Sequence, residues 1–442
     1  MGINYGSLQS TFYRDFERHK ELEPSSGAIG GPITYSRNST ATYIGSNGYL
    51  QTASVNEPRF GYEYDSNGTL QYRGLLIEPA AGNNYLLYSE DFSQANWTKT
   101  SCSVNSVSIT NPDGSTTGQK IAKSSNGGSI SQSYTTNYIN ANTSYARAFH
   151  FSVIAKASEC GYLLMIISNG TENIYCYYDL NNGIVGTNGG GANNLIFIYK
   201  HIMNMGNGWY RCFFCVRDDN QTNKTYTFSY VPTTTSTGQT INNSGDGAYL
   251  WGAMVFYQPH YALGYQQTAK SYIKTTSTIS INQSDVCYVG YYTDNRNISR
   301  LFGSHDNTQI SLFGQFSTPQ NNFKIGITQN YMGIGIPPTS FYYRQTNSSC
   351  NVLLRRSGIP VAMDYGSFPI LDNNNKAILT YGIGKGSKAC MNNGIIYNAN
   401  AYSLDILDPI FSIGFGGDAY YKKIFCVPTI LSDRHMKALT IL

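Results

Sequence analysis

Cleaving a glycosidic bond takes two carboxylates roughly 5–10 Å apart, one of them held protonated. Acidic residues number 26 in a chain of 442, and the adjacent pairs Asp218-Asp219 and Glu90-Asp91 would point to opposite faces of a strand. Both read as solvated turns. Cys212-Phe213-Phe214-Cys215 has the spacing of half a zinc site, but no second pair accompanies it. On a strand, residues three apart face oppositely, so a single ion could not collect both thiolates. The histidines, His19, His150, His201, His260, His305 and His435, have no metal-motif partner four positions on. A hydrolase elbow of the form G-x-S-x-G is missing. Gly382-Ile383-Gly384-Lys385-Gly386-Ser387 lacks the order of a phosphate loop and reads as a glycine-rich hairpin. Calcium could find oxygen donors in Asp372-Asn373-Asn374-Asn375 or Asn111-Pro112-Asp113-Gly114. The expectation is a non-enzyme without a cofactor, apart from structural calcium at such turns.

The elements that must position these residues follow from composition. Charged residues make up 13% of the chain and aromatics 14%, with 38 tyrosines and 44 glycines. A surface so poor in charge must be largely uncharged polar, and short apolar runs broken by Gly, Ser, Thr and Asn are the composition of strands and turns. The net charge of +4 is too weak for a nucleic-acid surface. The one dense charge run, Arg14 to Glu21, mixes signs and reads as a solvated helix face. No apolar stretch approaches the roughly 18 residues of a membrane span, and no secretory leader pattern opens the chain. Nine cysteines in no framework spacing read as reduced core residues.

Along the chain, Leu8, Phe12 and Phe16 fall at helical spacing with Tyr13 beside them. This predicts a short amphipathic helix within residues 8–22, ahead of the linker PSSGAIGGP. Residues 33–88 alternate apolar and polar around Ser46-Asn47-Gly48 and Asp65-Ser66-Asn67-Gly68, the strongest short-range hairpin signals. So small a unit needs a neighbour to pack against. Residues 89–276 hold strand-like runs such as ARAFHFSVIAKA, NIYCYYDL, GWYRCFFCVRD and GAYLWGAMVFY, with Gly186 to Asn194 read as a loop. No helix intervenes, which argues for a sandwich or jelly roll. Residues 277–442 repeat that style and close on a short helix capped by Ser432. The fold class is therefore all-β: tandem antiparallel sandwiches (jelly rolls) behind a short helical or extended attachment segment, residues 1–32. Trp97, Trp209 and Trp251 are expected to fill sandwich cores.

Several motifs occur in a specific order. SRNSTATYIGSNGYLQTASVNEPRFGY (Ser36 to Tyr62) is followed by YRGLLIEPAAGNNYLLYSEDFSQANWTK (Tyr72 to Lys99), then by Gly208-Trp209-Tyr210-Arg211, by Gly247 to Ala253, and by Ser271-Tyr272-Ile273-Lys274-Thr275. Together they resemble a phage-encoded family of tail- and head-fiber or spike proteins. The central part is similar to carbohydrate-binding jelly rolls. Ile424 to Leu439 looks like the close of a concanavalin-like (laminin-G-like) sandwich. The stretch EPAAGNNYLL, Glu78 to Leu87, departs from the family's shorter form.

The resemblance implies a virion structural protein, assembled in the host cytoplasm and trimeric or otherwise homo-oligomeric. Its partners would be other head, collar or tail proteins and host-surface glycans, with no nucleic acid and no membrane insertion. The N-terminal segment, with Leu8, Phe12, Tyr13 and Phe16, would dock to the particle, and the sandwiches would project outward. The alternatives are a capsular polysaccharide depolymerase and a purely architectural collar or capsid component. No glycan-contacting residue is assigned.

Overall fold

The computed structural model describes residues 12–20, 22, 33–65, 67–78, 81–136, 147–191, 194–218, 224–259, 271–282 and 285–289, and beyond these the strands and helix named below. The chain is all-β; among the described residues the strands pair antiparallel and one short helix is present.

The first elements are β1 (Phe12–Asp15), β2 (Thr34–Ser36), β3 (Ala41–Ile44), β4 (Leu50–Ala53), β5 (Arg59–Tyr64), β6 (Leu70–Ile77) and β7 (Gly82–Asn84). The two expected hairpins form: β3 pairs with β4, and β5 with β6. Gly48 turns the first of them at φ 79°, a left-handed conformation that costs glycine nothing.

The middle of the chain is a two-sheet sandwich. Its strands are β8 (Thr98–Thr100), β9 (Cys102–Ser108), β10 (Thr117–Lys123), β11 (Ser129–Thr135), β12 (Arg147–Ala157), β13 (Tyr162–Ser168), β14 (Asn173–Asp179), β15 (Ile184–Gly190), β16 (Leu195–Gly206), β17 (Trp209–Asp218), β18 (Thr225–Thr233) and β19 (Gly247–Pro259). One sheet runs β16-β17-β12-β19-β10-β9 and the other β15-β14-β13-β18-β11-β8. Between the quartets β10-β19-β12-β17 and β11-β18-β13-β14 the chain crosses back and forth as in the double Greek key of a jelly roll. Inward residues of both sheets make the core, where Phe151 meets Phe228 at 5.2 Å and Tyr230 at 4.9 Å. Trp97 is buried there, its indole donating to the Tyr88 carbonyl.

The remaining elements are β20 (Ser280–Asn282), β21 (Val286–Val289), β22 (Gln309–Ser317), β23 (Lys324–Gln329), β24 (Ser340–Gln345), β25 (Cys350–Arg355), β26 (Asn375–Gly382), β27 (Gly386–Met391), β28 (Tyr397–Ala399), β29 (Pro409–Ile413), β30 (Ala419–Val427) and the helix α1 (Asp433–Thr440). Gly382 pairs with Gly386, so the glycine-rich run does join two hairpin strands. Strands from the start of the chain complete both sheets here. One runs β28-β27-β26-β22-β30-β6-β5 with β1 also on β30, and the other runs β2-β21-β29-β23-β24-β25.

Two expectations are corrected. Residues 12–15 form a strand, not a helix: Phe12 to Asp15 pair in register with Cys426 to Lys423. The edge of β30 beyond β6 offers a full set of backbone partners, whereas an isolated helix of this length is marginal in water. Leu8 lies outside the described residues. Gly186 to Gly190, read as loop, belong to β15, where Tyr175 pairs with Gly189. A Cβ at Gly189 would stand 2.6 Å from the Tyr175 hydroxyl, so the glycine there makes room for a ring rather than for a turn.

Candidate functional site

The hairpins lie across the outward face of the β16-β17-β12-β19 sheet. Their Ile44, Leu50, Tyr62, Tyr64 and Leu70 pack with Trp209, Trp251, Met254 and Phe256 in a second apolar cluster. Trp209 and Trp251 thus seal this joint instead of filling the sandwich interior, and Trp209 donates to the Thr110 carbonyl at 2.8 Å.

At the rim of the cluster sits a buried charge network. Arg59 donates from Nη1 to Glu78 at 2.6 Å and from Nη2 to Asp285 at 2.6 Å, and its Nη1 also reaches Ser271 Oγ at 2.9 Å. Arg37 is 3.3 Å from the other oxygen of Asp285 and donates to the carbonyls of Ser39, Ser54 and Glu57. Tyr35 donates to the same carboxylate, and the Glu78 and Ser271 amides donate to Asp285 and Glu78 in turn. Both arginines are at most 1% exposed. Burial alone would lower the Arg59 guanidinium, but Glu78 and Asp285 outweigh it and hold the cation above its usual range. Beside the network, Ser89 bonds the Tyr272 hydroxyl at 2.6 Å, Tyr272 donates to Glu90, and the Thr275 amide donates to Ser89.

A cavity of ≈ 70 Å³ lies against this network, lined by Glu63, Glu78, Arg211, Ser271, Tyr272 and Tyr420 among others. Two acidic residues, Glu63 and Glu78, therefore line one space. Burial raises the Glu63 carboxyl although Arg73 holds it at 2.9 Å. Burial also pushes the Arg211 guanidinium down to about 10, leaving it cationic at neutral pH. The cavity has room for a few waters, whereas pockets for small ligands start near ~300 Å³.

The other candidate chemistry is quieter. Cys212 points into the sandwich core and Cys215 to the opposite face, as alternation requires. Cys215 Sγ is 3.8 Å from His150 Nε2, a nucleophile-and-base spacing. Burial, however, pushes the thiol well above its ordinary value, and His150 lies against Phe213 and Phe256. Asp218, read as part of a solvated turn, is fully buried and accepts the Tyr226 hydroxyl. Asp91 keeps a local role: hydrogen bonds from Ser93, Gln94 and Gln119 outweigh burial and hold it down to about 2. At Asn111 to Gly114 one oxygen of Asp113, Oδ1, accepts from the Ser115 amide and hydroxyl, and Asp372 to Asn374 lie outside the described residues. Among the described residues no three His, Cys, Asp or Glu side chains gather as metal ligands.

Of the residues expected to dock, Phe16 is fully buried within its own chain, 6.1 Å from Phe60. Its amide donates to Lys422 and its carbonyl accepts from Tyr72. Lys20 follows, 5.0 and 4.8 Å from the Tyr62 and Tyr72 ring centres. Sequence reasoning missed Asp285, which has no neighbours on the chain to mark it, and Glu63.

No family model and no curated protein matches the chain.

Proposed function

We propose that the chain is a structural subunit of a bacteriophage particle, a fiber, spike or decoration protein that presents its β-sandwich to glycans on the host surface. One observation carries this reading. Residues from each of the motifs on which the fiber-protein resemblance rests, spread from Arg37 to Thr275, meet in a single joint. Arg37 comes from the S-R segment, Arg59 from N-E-P-R-F, Glu78 from G-L-L-I-E, and Ser271 and Tyr272 from S-Y-I. Arg37, Arg59, Glu78 and Ser271 share the network with Asp285, and Tyr272 lies beside it. Ser89, Glu90, Trp209 and Trp251 from the remaining motifs abut it. Each motif thus contributes to one clamp between hairpins and sandwich. A clamp of that kind suits a protein that must hold domains at a fixed angle, and multiplied copies of a weakly binding surface then supply avidity.

Mass spectrometry of gradient-purified particles from the encoding phage tests the reading. The chain should be present in stoichiometric copies, and its absence from mature particles overturns the proposal. Incubation with host capsule addresses the depolymerase alternative, since release of new reducing ends would replace a binding role with a catalytic one.

A further inference from the structure

The second sheet of the sandwich turns one face to the core and the other outward. Ile174, Cys176 and Tyr178 of β14, Leu163, Met165 and Ile167 of β13, and Tyr226, Phe228 and Tyr230 of β18 point inward. Alternation puts the intervening residues outside. There, Leu164, Tyr177 and Val231 form a small buried cluster, and the partly buried Ile166 and Tyr175 pack against it. Tyr175 is partly exposed and its phenol end lies across β15, where a Cβ at Gly189 would stand 2.6 Å from its hydroxyl and 2.8 Å from Cζ. The bare backbone at Gly189 leaves the space that the phenol end of this partly exposed ring occupies. Tyr177 stands perpendicular to it, ring centres 5.8 Å apart and planes at 85°.

Next to this aromatic half the same face carries a hydroxyl half. Ser133 and Thr227 bond each other at 2.9 Å, and Thr135 and Thr225 do so at 2.8 Å. Ser229 pairs with Ile166 on one side and with Ser131 on the other, so hydroxyls sit directly beside the ring cluster. The outward positions of β11, β13 and β18 carry no charged side chain. On β14 the one outward charge is Asp179, whose carboxylate caps the following turn through the Asn181 and Asn182 amides. At the rim, Lys200 is tied to the Gly186 carbonyl and Asn188.

A partly exposed aromatic ring suits the apolar face of a pyranose, and pre-paired hydroxyls exchange hydrogen bonds with sugar hydroxyls at little ordering cost. The missing charge selects the ligand class: such a face offers nothing to neutralise a uronate or sialate, and desolvating an anion against it would cost binding energy. We propose that this outward face, centred on Tyr175, binds an uncharged polysaccharide chain. The proposal rests on the glycan-binding part of the reading above and assigns it a site.

The test prints neutral hexose and N-acetylhexosamine oligosaccharides on an array, beside sialylated and uronic-acid-bearing counterparts, and probes it with the full chain. The same array is probed with Tyr175→Ala and Thr227→Lys, whose folding is checked by thermal melting. Neutral glycans should be retained and acidic ones not. Tyr175→Ala should weaken retention about tenfold, the scale of one ring's contact area, and Thr227→Lys should weaken it while the melting curve stays put. If a neutral glycan binds both variants as it binds the parent chain, the face is refuted while glycan binding stands. A preference for acidic glycans, or no retention of any glycan, overturns the proposal and leaves the particle experiment to decide the structural role.

Discussion

The two outward faces of the sandwich are built from different residues. The face of β16-β17-β12-β19 presents Trp209, Trp251, Met254 and Phe256 and is covered by the hairpins. The face of β11 and β18 presents Ser131, Ser133, Thr225, Thr227 and Ser229 in partly or fully exposed positions. The difference is written in the strands. GWYRCFFCVRD and GAYLWGAMVFY are apolar almost continuously, the pattern of strands buried on both sides, while KTYTFSYV alternates hydroxyl and aromatic, the pattern of a strand wet on one side. Alternation therefore reports which face of a sheet will be covered before any partner is known.

The sharpest way to break the contrast is at the joint. Arg59→Ala leaves Glu78 and Asp285 buried with one cation fewer, and should cost about 3–5 kcal/mol in chemical denaturation. A loss below about 1 kcal/mol would show that the carboxylates rearrange freely and that the joint is not a clamp. On the open face Gly189→Leu should cost much less, about 1 kcal/mol, because only the outer end of the Tyr175 ring has to move. A crystal structure of that variant should show the ring lifted from β15.

A third comparison uses acid. Glu63 at the joint has a folded pKa raised above its ordinary 4.5. Its contribution to stability is thus fully present below 4.5 and lost as pH rises through the folded value. Glu63→Gln should flatten the stability profile in that window, and an unchanged slope would assign the pH dependence to other groups. Smallest of all, Thr227→Val on the open face should change stability by no more than about 0.5 kcal/mol. A larger loss would mean that face is covered after all.

Much of the fold was readable. Asn-Gly between alternating runs gave the hairpins, and long β-rich runs gave β12, β14, β17 and β19. The failures share a cause in partners that lie elsewhere on the chain. Phe12 and Phe16 happen to fall at helical spacing, but Phe12 pairs with Cys426, and nothing local announces an edge so distant. In β15 glycine stood for loop because the ring it accommodates sits on β14. Of the joint, the motifs supplied most members, yet neither their pairing nor Asp285 was visible, since ionic partners are chosen by the assembled sheets. Asp218 was misread for the same reason: Tyr226, eight residues away, buries it.

The weaving of early strands into late sheets fixes a timetable. β1 and β6 both pair with β30, and β2 pairs with β21. During synthesis these strands must wait, one edge unsatisfied, for about 410 residues of chain in the case of β1, about 345 for β6 and about 250 for β2, roughly 12–80 s at about 5–20 residues per second. The central sandwich, whose strands all lie between β8 and β19, can close in that interval and give the waiting hairpins a surface to rest on. Synthesis from the N-terminus thus allows the molecule to assemble from its middle outward.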